Sequence, residues 1–217
     1  MVFQPNLEGE RMALLEVCHL SCERGDRQLF TNLDFSLNSG AMVQVEGRNG
    51  AGKTSLLRIL CGLAQPSTGT VQWRGRDIRR WRSEFLSEVL YLGHHHGVKG
   101  SLTPEENLKV ARGLGVAHPT IGINEALRQV GLGHFYDHPC QGLSAGQRRR
   151  VALARLLTIQ ATLWILDEPF TSLDRAGVQM VEAMLHSHLA AGGAAVITTH
   201  HPVRMDGYPV QGVNLDH

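Results

Sequence analysis

The chain has 217 residues, of which 42% are hydrophobic and 19% charged, and its formal net charge is +1. This composition is that of an ordinary globular protein, and the near-neutral charge excludes a general electrostatic attraction to nucleic acid or to an anionic membrane. No apolar run reaches the roughly 18 residues of a transmembrane helix, and the N-terminus lacks the basic-then-apolar pattern of a signal peptide. We therefore expect a cytosolic protein of one large domain that does not bind nucleic acid.

The first strand pattern begins near Met12, so residues 1–11 are predicted to form a loose extension. Without a paired C-x-x-C cluster, the cysteines are expected to be reduced core residues rather than metal ligands. The four cysteines are Cys18, Cys22, Cys61 and Cys140.

Beyond this extension, short apolar strands alternate with helical stretches, which predicts an α/β fold with a mostly parallel sheet. Leu33, Phe35 and Leu37 alternate with polar residues, a pattern typical of a half-exposed antiparallel strand. Further strands are predicted at 41–46, 71–75, 89–93, 162–167 and 194–199, and helices at 53–63 and 175–191.

The middle of the chain has a different, helical character. Thr103 as N-cap, Pro104 at the first helical position and Glu106 closing a capping box predict the start of one helix, and a second helix is predicted at 123–132. We therefore predict a single domain over 12–217, with a core at about 12–93 and 151–217 and an inserted helical subdomain at about 94–150.

Residues 47–54, GRNGAGKT, match the phosphate-binding pattern G-x-x-x-x-G-K-[ST]. Glycines let backbone N–H groups converge on phosphate oxygens, Lys53 reaches the β- and γ-phosphates, and Thr54 supplies an oxygen to Mg²⁺. The strand before the loop and the helix after it favour this interpretation over a chance glycine-rich turn. The residues expected to contact the nucleotide here are Gly47, Arg48, Asn49, Gly50, Ala51, Gly52, Lys53, Thr54 and Ser55.

Two acidic residues, Asp167 and Glu168, directly follow the apolar run LWIL. A carboxylate at the end of a buried strand suits a magnesium ion beside Thr54, and Glu168 can polarise a water for attack on the γ-phosphate. His200 ends the next predicted strand and is expected to hydrogen-bond the γ-phosphate. Acidic strand ends also occur without function, but after a complete phosphate loop that interpretation is the weaker one. Lys53, Glu168 and His200 are thus the candidate catalytic residues.

With these motifs, the chain from Met12 onward resembles the ATP-binding subunits of ABC transporters. That family carries an LSGGQ signature, and alanine replaces its first glycine here. The corresponding residues are Leu143, Ser144, Ala145, Gly146 and Gln147. Ser144-x-x-Gln147 is also a capping box, and both interpretations can hold, because a capped helix start is itself an anion site.

The resemblance implies a homodimer that uses ATP and Mg²⁺. In the family, the signature turn of one subunit contacts the γ-phosphate held by the phosphate loop of the other, so each ATP would lie between Lys53 of one chain and Ser144 of the second. Asp174, in the stretch TSLD, resembles the family's D-loop aspartate at the dimer seam. An ordinary N-cap aspartate is the alternative interpretation of Asp174.

Two positions depart from the family pattern. Arg24 stands where an aromatic residue usually stacks on adenine, and a guanidinium can also stack on a purine. His94 stands where a glutamine usually contacts Mg²⁺ and the membrane partner, and it begins the run His94-His95-His96. A coupling loop is favoured over a metal or haem site, because three consecutive side chains cannot all point inward.

Within the family, the chain is most similar to the ATP-binding subunits of the cytochrome c biogenesis system. The resemblance rests on the His94 loop, on LSAGQRRRVALARLL, and on ATLWILDEPFTSLD with its Trp164. It implies a peripheral subunit at the cytoplasmic face of the bacterial inner membrane, bound to integral membrane subunits. ATP hydrolysis there would drive haem export or release of a haem-loaded periplasmic chaperone.

Three alternatives remain open from the residues alone. The chain could serve another ABC exporter with a lipid or peptide cargo. It could be a soluble P-loop kinase, which needs an acceptor pocket and a mobile lid. It could be a scaffold that binds ATP without hydrolysing it, which the presence of Glu168 and His200 disfavours.

Overall fold

The computed structural model describes residues 13–200, 203 and 205–216; the predicted extension at 1–11 and Met12 lie outside these residues. The strands are β1 (Leu15–Arg24), β2 (Arg27–Leu37), β3 (Met42–Glu46), β4 (Thr68–Trp73), β5 (Arg76–Asp77), β6 (Val89–Leu92), β7 (Leu163–Asp167), β8 (Ala194–Thr198) and β9 (Val210–Asn214). The helices are α1 (Lys53–Leu60), α2 (Arg82–Ser87), α3 (Pro104–Leu114), α4 (Ile123–Gln129), α5 (Ala145–Leu153), α6 (Arg155–Thr158) and α7 (Arg175–Ala190).

The strands form two sheets of opposite character. The first sheet has the order β2-β1-β4-β5, and all its pairs are antiparallel. The second has the order β6-β7-β8-β3-β9, and all its pairs are parallel. The predicted α/β fold with an antiparallel edge is confirmed, and Leu33, Phe35 and Leu37 face inward on β2 as their alternation indicated.

The parallel sheet separates two apolar layers, because alternate residues of its strands point to opposite faces. Leu163 and Ile165 pack on the side of the antiparallel sheet and α1, whereas Trp164 and Leu166 pack on the side of α7 and the helices that follow β6. Every residue of β7 is buried, which explains why its sequence is a continuous apolar run rather than an alternating one.

The helical segment begins as the sequence predicted. Thr103 Oγ1 accepts a hydrogen bond from Glu106 N at 3.2 Å, and Glu106 Oε2 accepts one from Thr103 N at 2.9 Å, so the capping box is complete. Contacts of α3 with α4, α5 and α6 build a small helical layer between β6 and β7 in the chain. The subdomain boundaries at 94 and 150 remain a prediction.

No helix in the described part of the chain is long and apolar enough to cross a membrane. The cysteines there are free: Cys22, Cys61 and Cys140 are buried, and Cys18 is half-buried. The burial of Cys22, Cys61 and Cys140 agrees with the expected core placement, whereas Cys18 is not in the core.

Candidate functional site

The phosphate-loop residues Gly47 to Gly52 turn the chain from β3 into α1. Gly47, Gly50 and Gly52 have φ angles of 141°, 83° and 106°, which disfavour any residue with a side chain. A Cβ on Gly52 would lie 3.0 Å from Leu29 Cβ and 3.2 Å from Phe30 Cδ1, so the loop also needs glycine for its close approach to β2. Gly52 is the N-cap of α1 and supplies no side-chain hydrogen bond there. The first amides of α1, including that of Ser55, are therefore not capped by a side chain at the N-cap.

Lys53 folds over this loop from the first turn of α1. Its Nζ donates to Gly47 O at 2.5 Å and to Arg48 O at 3.3 Å, so the ammonium group is bound to the first two residues of the loop. A cation held at this point, together with the partial positive charge of the helix start, favours a polyanion in the loop.

Asp216, which follows β9, holds the other side of the loop. Arg48 N donates to both Asp216 oxygens at 3.0 Å, and Arg48 Nε lies 3.3 Å from Asp216 Oδ1. These hydrogen bonds, with the charge of Lys53, lower the pKa of Asp216 from its ordinary value. The sequence analysis did not identify Asp216, because neither its neighbours nor its distance along the chain indicate this contact.

Thr54 and Asp167 meet at the end of the loop. Thr54 Oγ1 donates to Asp167 Oδ2 at 2.9 Å, and Thr198 Oγ1 donates to Asp167 Oδ1 at 2.7 Å. Asp167 is 3% exposed, so its carboxylate is fixed by two hydroxyls in a nearly closed environment. A hydroxyl and a carboxylate are the hard oxygen donors that Mg²⁺ prefers, and the residues present therefore fit this ion.

Glu168 leaves the sheet in a strained conformation. Its φ of 51° is uncommon for a residue with a side chain and is typical of functional turns. Glu168 N donates to Thr198 O at 3.1 Å and to Thr198 Oγ1 at 3.0 Å, which fixes the residue against β8. His200 Nε2 lies 3.6 Å from Glu168 Oε1, and the His200 side chain is 65% exposed. The two predicted catalytic side chains are thus neighbours just beyond the carboxyl ends of β7 and β8.

The signature turn has the predicted capping box. Ser144 Oγ accepts from Gln147 N at 3.1 Å, and Gln147 Oε1 accepts from Ser144 N at 2.8 Å. The replacement of the first family glycine is accommodated because Ala145 is exposed. Gly146 is different, because a Cβ there would lie 2.8 Å from Ser172 O. Leu143, directly before the turn, is a buried core residue.

Asp174 is the N-cap of α7, as the alternative interpretation of this residue predicted. Its Oδ1 accepts from Gly177 N at 2.8 Å and from Arg150 Nη2 at 2.7 Å. The hydrogen bond from Gly177 N is the main cause that lowers the pKa of Asp174 from its ordinary value, and the charge of Arg150 adds to it. The stretch after Glu168 is therefore tied to the signature helix, while a role of Asp174 at a dimer seam stays a prediction.

The two departures from the family pattern have different surroundings. Arg24 is exposed at the end of β1, and its contact with adenine stays a prediction. Arg27, which the sequence analysis did not single out, lies at the loop instead: a Cβ on Gly50 would be 3.7 Å from Arg27 Nη1. His94 lies beside His95, with 5.6 Å between ring centroids.

His94, His95 and His96 line a cavity of about 230 Å³ together with Arg149, Glu168, Thr171 and Ser172. In the part of the chain that the structure describes, no group of three or more histidine, cysteine, aspartate or glutamate side chains is arranged to hold a metal ion. The cavity thus connects the predicted coupling loop with the predicted general base.

Residues 30–171 match the family model described as ABC transporter. The proteins named cytochrome c biogenesis ATP-binding export protein CcmA from Methylococcus capsulatus and Escherichia coli O157:H7 are 51% and 46% identical to the chain. The first alignment covers 87% of this chain and 91% of the relative, and the second covers 94% and 97%. The chain belongs to the ABC transporter family, in its cytochrome c biogenesis group.

Solved structures of ABC ATP-binding subunits share the fold. A putative ABC transporter ATP-binding protein from Pyrococcus furiosus superposes with a TM-score of 0.78 at 24% identity, covering 93% of this chain and 96% of that chain. A dimeric ATP-binding cassette in a post-hydrolysis state with ADP and Pi superposes with a TM-score of 0.76 at 21% identity, covering 86% and 88%. Two sheets with an inserted helical layer are therefore the architecture of this ABC subunit and of its structural neighbours.

Arg149 is a buried residue of the site that the sequence analysis did not identify. It is 1% exposed, and burial lowers the pKa of its guanidinium, while the charges of Asp167 and Glu168 oppose that shift. Arg149 is the middle one of three consecutive arginines, Arg148 to Arg150, and the sequence offers no signal that only this one points into the core.

Proposed function

We propose that the chain is the ATP-hydrolysing subunit of a membrane ABC complex for c-type cytochrome biogenesis. The observation that carries ATP hydrolysis is the meeting of Thr54, Asp167 and Glu168 beside the phosphate loop, with Thr54 Oγ1 2.9 Å from Asp167 Oδ2. The cytochrome assignment is supported by relatives that cover nearly the whole chain at 44–51% identity and carry that name.

ATP would bind with its phosphates on the amides of the phosphate loop and on Lys53. Thr54 and Asp167 would hold Mg²⁺, which neutralises phosphate charge when bound. Glu168 accepts a proton from the attacking water. His200, 3.6 Å from the Glu168 carboxylate, donates a hydrogen bond toward the γ-phosphate. Arg24 is proposed to stack on the adenine.

The signature turn would act in a second subunit. Ser144 begins a helix of nine residues without an acidic residue in its first turn, and the turn contains no lysine. A helix start of this kind attracts an anion, and the cation needed beside it is Lys53 of the other chain. One of the structural neighbours is dimeric with ADP and Pi. We therefore propose a homodimer with two ATP molecules at the seam and with Asp174 nearby.

The membrane partner would be sensed through the His94 loop. This loop follows β6 and shares the 230 Å³ cavity with Glu168, so a displacement of the loop reaches the reacting groups directly. We propose that integral membrane subunits contact this region at the cytoplasmic face of the inner membrane. ATP hydrolysis would drive haem export through these subunits or the release of a haem-loaded chaperone in the periplasm.

The test uses cells that lack the chain, complemented with wild type or with Glu168→Gln. Membranes are separated on gels and stained for covalent haem, and wild type alone is expected to restore c-type cytochromes. Glu125→Gln is the matched control, because Glu125 is paired with Arg128 on the surface of α4. Normal cytochromes in the deletion strain would exclude the cytochrome assignment and leave another exporter.

A second measurement follows ATP turnover against protein concentration. A sandwich dimer gives a cooperative dependence, whereas a P-loop kinase or another monomeric enzyme gives a first-order one. Glu168→Gln is expected to lower turnover by about 10²- to 10⁴-fold, the usual contribution of a general base, and to accumulate an ATP-bound dimer. Turnover of Glu168→Gln at the wild-type rate would remove Glu168 from the mechanism.

A further inference from the structure

Arg149 connects three separate segments through one guanidinium group. Its Nε donates to Pro169 O at 3.2 Å, and its Nη2 donates to Asp167 O at 3.1 Å and to Glu168 O at 2.6 Å. Its Nη1 reaches His96 Nδ1 at 3.2 Å and Gly93 O at 3.5 Å. The signature helix α5, the end of β7 and the loop after β6 therefore share one planar donor.

The acceptors of Arg149 in these contacts are all neutral, although the side chain is only 1% exposed. Burying a guanidinium that donates to no carboxylate is costly, and the nearby charges of Asp167 and Glu168 offset only part of that cost. An apolar side chain of similar volume would fill the same space without it. Arginine suits this position because its five directed donors hold backbone carbonyls in place, which no apolar side chain can do.

One branch of the contacts fixes the predicted general base. Glu168 N is held by Thr198 of β8 at 3.0–3.1 Å, and Glu168 O is held by Arg149 at 2.6 Å. The residue has a φ of 51°, so its conformation needs support from both sides. Without Arg149, the peptide after Glu168 loses its anchor and the carboxylate can turn away from the water it must deprotonate.

The other branch ends on the histidine loop. His96 Nδ1 and Gly93 O share Nη1, while the carbonyls of residues 167–169 use the remaining nitrogens. Because the guanidinium is rigid and planar, the loop cannot shift without moving Nη2 or breaking the contact with His96. The cavity of about 230 Å³ between the loop and Glu168 gives the space for such a shift.

We propose that Arg149 is a positioning residue that fixes Glu168 for hydrolysis and transmits displacements of the His94–His96 loop to it. The proposal rests on the proposed function, in which Glu168 is the general base. Arg149 acts on the chemical step and not on the capture of ATP, because its hydrogen bonds go to the segment that carries Glu168 and to the histidine loop, not to the phosphate loop.

The test measures ATP turnover and ATP binding in the complex co-purified with its membrane subunits through a tag on this chain. Arg149→Lys keeps the charge but cannot reach both branches, and we expect its kcat to fall by about 100-fold, the usual effect of a misplaced catalytic group. Its KM for ATP is expected to stay within about twofold, since uniform ATP binding is not lost. Arg149→Gln is made in parallel and is expected to show the same split.

Arg155→Lys is the matched control, because Arg155 is a half-buried arginine whose Nη2 contacts Gly97 O of the same loop at 2.6 Å. It is expected to keep the kcat of wild type. His96→Ala removes the side-chain contact of the loop branch and leaves the contact with Gly93 O, so its effect on kcat is expected to be smaller than that of Arg149→Lys. The double variant is expected to be no worse than Arg149→Lys alone.

The outcomes separate this inference from the function on which it rests. A wild-type complex that does not hydrolyse ATP removes both. A wild type that hydrolyses ATP, an inactive Glu168→Gln and an unchanged Arg149→Lys together overturn the role of Arg149 alone. Loss of ATP binding along with turnover in both Arg149 variants assigns the residue to folding, and additive effects of Arg149→Lys and His96→Ala exclude the transmitted displacement.

Discussion

The glycine-containing turns before α1 and α5 are stabilised in opposite ways. The turn before α1 is held by distant parts of the chain: Asp216 binds Arg48 N, and Leu29 and Phe30 press on Gly52. The turn before α5 is held by its own capping box of Ser144 and Gln147. The first turn thus keeps its helix start without a side-chain cap and brings its own cation.

This difference agrees with two halves of one phosphate site. The first turn has glycine geometry, helix start and Lys53 together, which are the elements of a complete triphosphate loop. The second has a helix start and a serine but no lysine, and the guanidinium of Arg148 is bound to Leu143 O of the same turn. It therefore suits a phosphate that another subunit already holds.

Among changes to the two turns, the largest effect is expected for Lys53→Ala. The ammonium group makes charge-assisted hydrogen bonds worth about 1.5–3 kcal/mol each, so ATP affinity is expected to fall by about 10- to 150-fold. Lys109→Ala is the control, because Lys109 forms a surface ion pair with Glu105 on α3. Binding is measured by titration with ATP, and unchanged affinity in Lys53→Ala would show that the phosphate loop does not bind the nucleotide.

The second effect concerns Gly146→Ala in the signature turn. The new Cβ would lie 2.8 Å from Ser172 O, which is backbone and cannot move without shifting the stretch between Glu168 and Asp174. Overpacking of this kind costs about 1–3 kcal/mol, and we expect ATP turnover to fall about tenfold or more while each subunit still binds ATP.

Ala145→Gly is the matched control for Gly146→Ala. Ala145 is exposed, so removal of its methyl group restores the family pattern without changing a contact in the core. Turnover close to that of wild type is expected. If both substitutions leave turnover unchanged, the close approach of the signature helix to Ser172 has no part in the reaction.

The third effect separates capping from phosphate contact. Ser144→Ala and Thr103→Ala each remove the side-chain acceptor of a complete capping box, one in the signature turn and one at the start of α3. Each is expected to lower the free energy of unfolding by about 1 kcal/mol. Only Ser144→Ala is expected to lower ATP turnover as well, because only this hydroxyl is proposed to contact the phosphate in the dimer.

Denaturant unfolding measures the free energy of unfolding of each variant, and steady-state kinetics measure its ATP turnover. Equal losses of turnover in Ser144→Ala and Thr103→Ala would mean that the capping box of the signature turn serves stability alone.

Local patterns were enough to predict much of this molecule. The phosphate loop, the continuous apolar run of β7 and the capping box at Thr103 each depend on residues a few positions apart, and each has the predicted structure. β9 was missed because four of its five residues are exposed and only Val213 is buried, so no alternation marks it. The short helix α2 was missed for a similar reason, since Phe85 is its one buried residue.

The missed site residues have a different cause. Arg149 lies in a run of three arginines with the same chemistry, and only the geometry of α5 turns it into the core while Arg150 reaches Asp174. Asp216 is 168 positions from Arg48 along the chain, and their contact depends on β9 pairing with β3. Contacts that require the whole fold leave no local trace in the sequence.

The smallest effect is expected for Asp216→Asn, which weakens the contact between the segment after β9 and Arg48 of the first turn. The hydrogen bonds from Arg48 lower the pKa of Asp216 from its ordinary value of 3.8. The ionised carboxylate therefore stabilises the folded chain above pH 3.8. This stabilisation is lost as the pH falls through the pKa of Asp216 in the folded protein. Asp216→Asn should therefore lower the thermal midpoint slightly at pH 7 and leave it unchanged once the pH is below the pKa of Asp216 in the folded protein.

Glu125→Gln serves as the comparison, because Glu125 is a surface carboxylate that forms an ion pair with Arg128 and has no contact with the loop. Both ATP affinity and the thermal midpoint are measured at pH 7. The ATP affinity should fall in Asp216→Asn but not in Glu125→Gln, because Asp216 binds Arg48 of the loop and Glu125 does not. Equal thermal shifts without a change in ATP affinity would show that the first turn keeps its shape without the carboxylate, and that its glycines and its contacts with β2 are sufficient.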